Sequence, residues 1–151
     1  MANSASPLLR GASVAGYLAM ITALLGLLYT HNLFSLSPLV IAPQAAAVVL
    51  LAWARLTFGR RSFHLVADPT SGGLVTTGPC RFIRHPIYTS VCLFVWAGVL
   101  AHLSWTSLAL AALATAGGLG RMFCEERLLA ERYPEYVAYA APTRRMIPFV
   151  F

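Results

Sequence analysis

Apolar residues run almost unbroken from Gly11 to about Thr30, from about Pro38 to Leu56, from Pro86 to about Leu103, and from about Trp105 to Met122. A bilayer-crossing helix needs roughly 20 apolar residues. The pattern therefore predicts an all-α polytopic membrane fold with about four transmembrane helices. Pro43 lies inside the second run, where a kink is expected. The helical spacing of the fourth run continues through Glu125 and Glu126 toward Arg132. The first run follows Arg10 as a secretory leader would. It is longer than a leader's apolar region and lacks a small-residue cleavage site, so it is expected to be retained.

Composition agrees with lipid as the solvent. The chain has 151 residues, 58% hydrophobic and 11% charged. A soluble domain averages about 45–50% apolar and about 25% charged residues. So much apolar surface exceeds what one small core can bury, and disorder would need the opposite balance. The length suits a single domain over residues 1–151.

Charge then orients the spans. The net charge is +6, and all 11 basic residues are arginine. They are few and lie between apolar runs, which favours membrane flanking over nucleic-acid binding. Arg10 precedes the first run. Arg55, Arg60, Arg61, Arg81 and Arg84 surround the connection between the second and third, and Arg121, Arg127, Arg132, Arg144 and Arg145 end or follow the fourth. The connections at 31–37 and 102–104 contain no Arg, Asp or Glu. The positive-inside rule places both termini, the loop 59–85 and the tail 123–151 in the cytoplasm, with a bacterial inner membrane as the expected location. The acidic residues Asp68, Glu125, Glu126, Glu131 and Glu135 fall on that side too, so polar chemistry belongs there.

Some residue classes carry little. Cys80, Cys92 and Cys124 are widely spaced and odd in number, and suit small apolar packing roles better than a disulfide framework or zinc site. His31 and His102 fall in the outer connections, and His64 in the central loop. No HExxH, GxSxG or Walker-type loop is present. Metalloprotease, serine hydrolase and nucleoside triphosphatase chemistry therefore lack support.

The loop from Gly59 to His85 is long and rich in Gly and Pro, with Leu74, Val75, Phe82 and Ile83 interspersed. Long loops of this kind are usually functional or disordered, and its apolar content favours an ordered, ligand-facing loop. The densest cluster follows: Gly78-Pro79-Cys80-Arg81-Phe82-Ile83-Arg84-His85-Pro86-Ile87-Tyr88. Pro86 suits the first turn of the third helix. That turn's N–H groups, ringed by Arg81, Arg84 and His85, form a potential anion site. Lipid headgroup binding by the arginines, with Tyr88 in an aromatic belt, accounts for the same residues. At the end of the fourth run, Arg121 and Glu125 share a helical face. Gly117, Gly118 and Gly120 would let another helix or a flat ligand approach. Charged groups so close to a span usually face a cavity or partner, although a plain intrahelical salt bridge with small-residue packing is the alternative.

Together the clusters resemble the isoprenylcysteine carboxyl methyltransferase family of integral-membrane enzymes. The matching stretches are Leu74-Val75-Thr76-Thr77-Gly78-Pro79, Arg84-His85-Pro86-Ile87-Tyr88, then Arg121 and Glu125-Glu126-Arg127-Leu128-Leu129. The tail Tyr133-Pro134-Glu135-Tyr136-Val137-Ala138-Tyr139 and Arg144-Arg145-Met146-Ile147-Pro148 also match, so the resemblance runs from about Arg60 to the end. It implies methyl transfer from S-adenosylmethionine to a lipophilic small-molecule or lipidated acceptor, with membrane lipids as surroundings and no nucleic-acid partner. By resemblance Gly72, Gly73, Leu74, Val75, His85, Pro86, Ile87, Tyr88 and Glu125 line the cofactor, and Arg121 faces the acceptor. No metal is implied. Carboxyl O-methylation of an isoprenylcysteine-like substrate is the leading expectation. Phospholipid N-methylation, S-methylation of a small thiol and a non-catalytic scaffold are the alternatives. The family often has tyrosine where this chain has Cys80, so tyrosine there is expected to be tolerated. The extra N-terminal spans of larger eukaryotic members are not expected here.

Overall fold

The computed structural model describes residues 7–59, 73–148 and 150–151. All regular structure among them is helical. Helix α1 spans Pro7–Tyr29, α2 Pro38–Phe58, α3 Pro86–Ala101, α4 Trp105–Arg132 and α5 Tyr136–Ala140. A 3-10 turn at Gly78–Arg81 precedes α3. Pro38 and Pro86 stand at helix starts, where their missing N–H is harmless. Ser104 caps α4 by accepting from the Ser107 N–H, while the Ser107 hydroxyl accepts from the Ser104 N–H. The expected kink at Pro43 does not interrupt α2, which continues to Phe58.

Three helices, α1, α2 and α4, are long and apolar enough to cross a bilayer. The third predicted span is shorter than expected. Helix α3 has 16 residues, or about 24 Å at the α-helical rise against a hydrocarbon core of about 30 Å. His85–Pro86 fixes its start, and the break at His102 stops it before Leu103. Helix α4 has the opposite mismatch. Its 28 residues extend about 42 Å, so the segment beyond Met122 clears an apolar slab and carries the charges.

Helix α1 packs chiefly on α4, α2 on α3, and α3 on α4. Leu27, Val95, Val99 and Ala111 form one core cluster, and Met20, Tyr88, Met122 and Met146 another. Outward positions are equally apolar: Leu18, Leu25, Leu39, Val49, Trp53, Leu56 and Leu100 are all exposed. In water this surface would be a liability, whereas in lipid it is the solvated face.

Several polar groups inside the bundle find partners. The Gln44 side-chain amide donates to the Leu33 and Phe94 carbonyls at 2.7 and 3.2 Å. Trp96 Nε1 donates to Thr115 Oγ1 at 3.0 Å, joining α3 to α4. His102 pairs through a ring nitrogen with the Phe34 carbonyl at 2.7 Å, so the α1–α2 and α3–α4 connections meet at one end. The start of α3, the end of α4 and the tail meet at the other.

Candidate functional site

The α3 start and the α4 end form one ionic cluster. Tyr88 Oη donates to Glu125 Oε1 at 2.7 Å, and Arg121 Nε donates to Tyr88 Oη at 2.8 Å and Glu125 Oε1 at 3.0 Å. His85 Nδ1 lies 3.9 Å from Glu125 Oε2. The 3.6-residue period places Arg121 and Glu125 on one face of α4. Tyr88 comes from the first turn of α3. Arg121 is only 5% exposed, so it must be paired. The pair expected from spacing is thus real, and it extends to an aromatic hydroxyl on another helix.

Glu126 anchors a second set. Its Oε1 accepts from Arg84 Nε at 3.0 Å and lies 3.3 Å from His85 Nε2, and its Oε2 accepts from Arg145 Nε at 2.9 Å. Burial would raise this carboxyl. Hydrogen bonds from His85, Arg145 and Arg84 outweigh burial and hold it down at about 2. Arg84 also donates to the Ala140 and Thr143 carbonyls at 2.9 and 2.5 Å.

The tail is drawn in with Glu126. Arg84 N and His85 N donate to the Arg144 and Arg145 carbonyls at 2.7 and 2.9 Å, and Thr89 Oγ1 donates to the Met146 carbonyl at 2.8 Å. Ile83 and Arg144 pair as a parallel bridge. These bonds engage two of the groups expected to ring an anion at the α3 start. The His85 N–H is occupied by a tail carbonyl, and Arg84 serves carbonyls and Glu126. Arg81 remains exposed.

Cys80 is fully buried, and Tyr139 Oη from α5 donates to its carbonyl at 2.8 Å. Burial pushes the Cys80 thiol up to about 11. A tyrosine at position 80, which the family resemblance led us to expect to be tolerated, would have to displace buried neighbours. Gly78 just before it has φ +58°, and Thr57 fills the space where a Cβ would stand. The 3-10 turn is thereby seated against the end of α2.

The structure brings His85, Tyr88, Arg121 and Glu125 together, with Pro86 and Ile87 completing the first turn of α3. Gly73, Leu74 and Val75 are half-buried. Among the described residues no hydrogen bond joins them to the cluster. Gly72, Arg60, Arg61, His64 and Asp68 lie outside the described residues. Of the α4 glycines, Gly117 makes the close approach, Gly118 makes ordinary contacts with Met20 and Tyr88, and Gly120 faces open space.

Sequence reasoning did not single out Glu126 as an anchor, nor Tyr17, whose ring lies 4.9 Å from Arg121 Cζ. The adjacent pair Glu125-Glu126 was a signal, since two neighbouring carboxylates at a span end need separate cations.

Comparison with known proteins gives one match. The profile of a family described as phospholipid methyltransferase matches residues 39–136. Arg84, His85, Tyr88, Arg121, Glu125 and Glu126 lie inside that stretch, whereas Tyr17 and Arg145 lie outside it. No curated protein and no solved structure matches the chain.

Proposed function

Because the chain belongs to the phospholipid methyltransferase family, we propose that it methylates a lipophilic acceptor with S-adenosylmethionine at the arginine-bearing end of the bundle. The family is one of membrane methyltransferases related to the isoprenylcysteine carboxyl methyltransferases. The observation that carries the proposal is the buried Arg121–Glu125–Tyr88 cluster beside His85, built wholly within the matched stretch.

The chain's groups suit the cofactor. Glu125 is the most exposed member of its cluster, with a quarter of its side chain open, and a carboxylate is the partner an ammonium or ribose needs. Tyr88, Ile87, Leu74 and Val75 offer aromatic and apolar surface. When bound, the cofactor supplies a sulfonium-activated methyl group. The protein's part is placement: holding a nucleophile in line with that methyl accounts for much of the acceleration.

The leading acceptor is a carboxylate on a lipid-like body, as in an isoprenylcysteine. Tyr88 and Glu125 hold Arg121 through Nε, fixing the guanidinium plane, which two-point recognition of a carboxylate requires. A carboxylate nucleophile is already anionic and needs no base. The second reading is a phospholipid amine, favoured by the partly open Glu125, which could take the proton such an acceptor must lose. Both readings place the site at the cytoplasmic face of a multi-pass chain with cytoplasmic termini, as the arginine distribution requires.

The test is calorimetric titration of the detergent-solubilised protein with S-adenosylhomocysteine. Wild type should bind. His85→Ala and Tyr88→Ala should bind roughly 10- to 150-fold more weakly, the equivalent of one lost hydrogen bond to a charged group. Absence of binding by wild type to either cofactor form would refute the proposal.

A further inference from the structure

Tyr17 belongs to α1, outside the matched stretch, yet it reaches the site. A Cβ added at Gly16 would lie 2.6 Å from the Gly117 carbonyl oxygen and 3.2 Å from Arg121 N. A Cβ added at Gly117 would lie 2.5 Å from the Gly16 carbonyl oxygen. The two helices therefore touch backbone to backbone, which only glycine on both sides permits. The contact falls one turn before Arg121 on α4 and one residue before Tyr17 on α1, so it delivers the Tyr17 ring to the guanidinium.

The ring's position has chemical consequences. Arg121 Cζ lies 4.9 Å from the Tyr17 centroid, within the range of attraction between a cation and a ring face, and burial strengthens that attraction. Tyr88 and Glu125 hold the Nε edge of Arg121. The Tyr17 ring, in contact with the same guanidinium, adds a restraint from a second helix to the bonds at that edge. Tyr17 is half-buried and also packs against the Met20–Tyr88–Met122 cluster, so leucine at this position keeps apolar packing while removing the ring.

Resting on the methyltransferase reading, we propose that Tyr17 is a positioning residue that fixes the guanidinium of Arg121 for the acceptor, making α1 part of the reaction centre as well as a membrane span.

The test compares wild type, Tyr17→Leu and Tyr17→Phe in lipid discs. Methyl-labelled S-adenosylmethionine is supplied with N-acetyl-S-farnesylcysteine or phosphatidylethanolamine, whichever wild type methylates. S-adenosylhomocysteine affinity is measured separately. Tyr17→Leu should lower kcat roughly 5- to 30-fold, from the strength of a desolvated cation–ring contact, with cofactor affinity within about twofold. Tyr17→Phe should recover most of that loss, because it keeps the ring. Tyr17→Met supplies the same comparison should the leucine variant fail to fold. Unchanged turnover in Tyr17→Leu overturns the inference, as does a parallel loss of cofactor affinity or a phenylalanine variant as poor as the leucine one. If wild type binds no S-adenosylhomocysteine and methylates neither probe, the methyltransferase reading itself fails, and the inference falls with it.

Discussion

Replacing Glu126 by glutamine should loosen the tail from the bundle. The substitution keeps the shape and removes the charge on which Arg84, His85 and Arg145 converge. The side chains of Arg84 and His85 are 9% and 6% exposed, so water cannot take over. The carboxyl sits at about 2 against an ordinary 4.5. At about 1.4 kcal/mol per pH unit, that separation amounts to about 3 kcal/mol of stability. Removing one partner of a buried ion pair gives about 3–5 kcal/mol by a separate route, so the two agree. At about 2–4 °C per kcal/mol for a chain of this size, Glu126→Gln should melt about 6–12 °C below wild type at neutral pH. The carboxyl is depressed in the folded state. Its contribution is therefore complete above about 4.5 and is lost as the pH falls through about 2. The gap between wild type and Glu126→Gln should close over that window. Intrinsic-fluorescence melts in detergent at a series of pH values would show it. A variant melting within about 1 °C of wild type at pH 7, or a gap that persists at pH 2, would refute the assignment of Glu126 as the anchor.

Further predictions follow from packing, chemistry and topology. Cys80→Tyr should destabilise by about 1–3 kcal/mol or more through overpacking, read as a lower melting temperature. Gly16→Val should separate α1 from α4 and lower both stability and turnover, whereas Gly120→Ala, facing open space, should stabilise α4 by about 0.5–1 kcal/mol. Arg121→Ala should cut turnover of an anionic acceptor sharply with cofactor affinity nearly unchanged, and Arg121→Lys should rescue little because an ammonium lacks the planar two-donor fork. Steady-state kinetics alongside titration separates those effects. A reporter fused after Phe151 should be active only in a cytoplasmic format, and periplasmic activity would contradict the proposed orientation.

Much of the fold was legible because single residues mark its boundaries. Pro38, Pro86 and Ser104 start helices by local chemistry, and the charges from Arg121 onward showed where α4 leaves the apolar zone. The shortness of α3 was less visible, since Leu103 continues the apolar run and only the turn at His102 ends the helix. At the site, Arg121 and Glu125 were legible from their spacing alone. Tyr88 was joined to Glu125 only through the family resemblance, and Arg145 and Tyr17 were not linked to them, because those contacts join segments distant in sequence. The small-residue signal on α4 was visible, but its partner Gly16 was not, since close approach depends on how α1 and α4 cross. The surroundings of Cys80 were not legible for the same reason: a family comparison shows which residue type stands there, while its burial and the Tyr139 bond to its carbonyl depend on how the tail folds back.

The central claim is methyl transfer by this chain, and the most direct measurement is transfer itself. Purified protein in lipid discs is incubated with methyl-labelled S-adenosylmethionine and a fractionated extract of lipids and small molecules, and labelled products are separated and identified. The account predicts label in a lipophilic product, on a carboxylate oxygen for the leading reading or an amine nitrogen for the second, with loss of that label in Arg121→Ala or Glu125→Gln respectively. Wild-type protein that releases no S-adenosylhomocysteine and labels no product above the level of empty discs would contradict it.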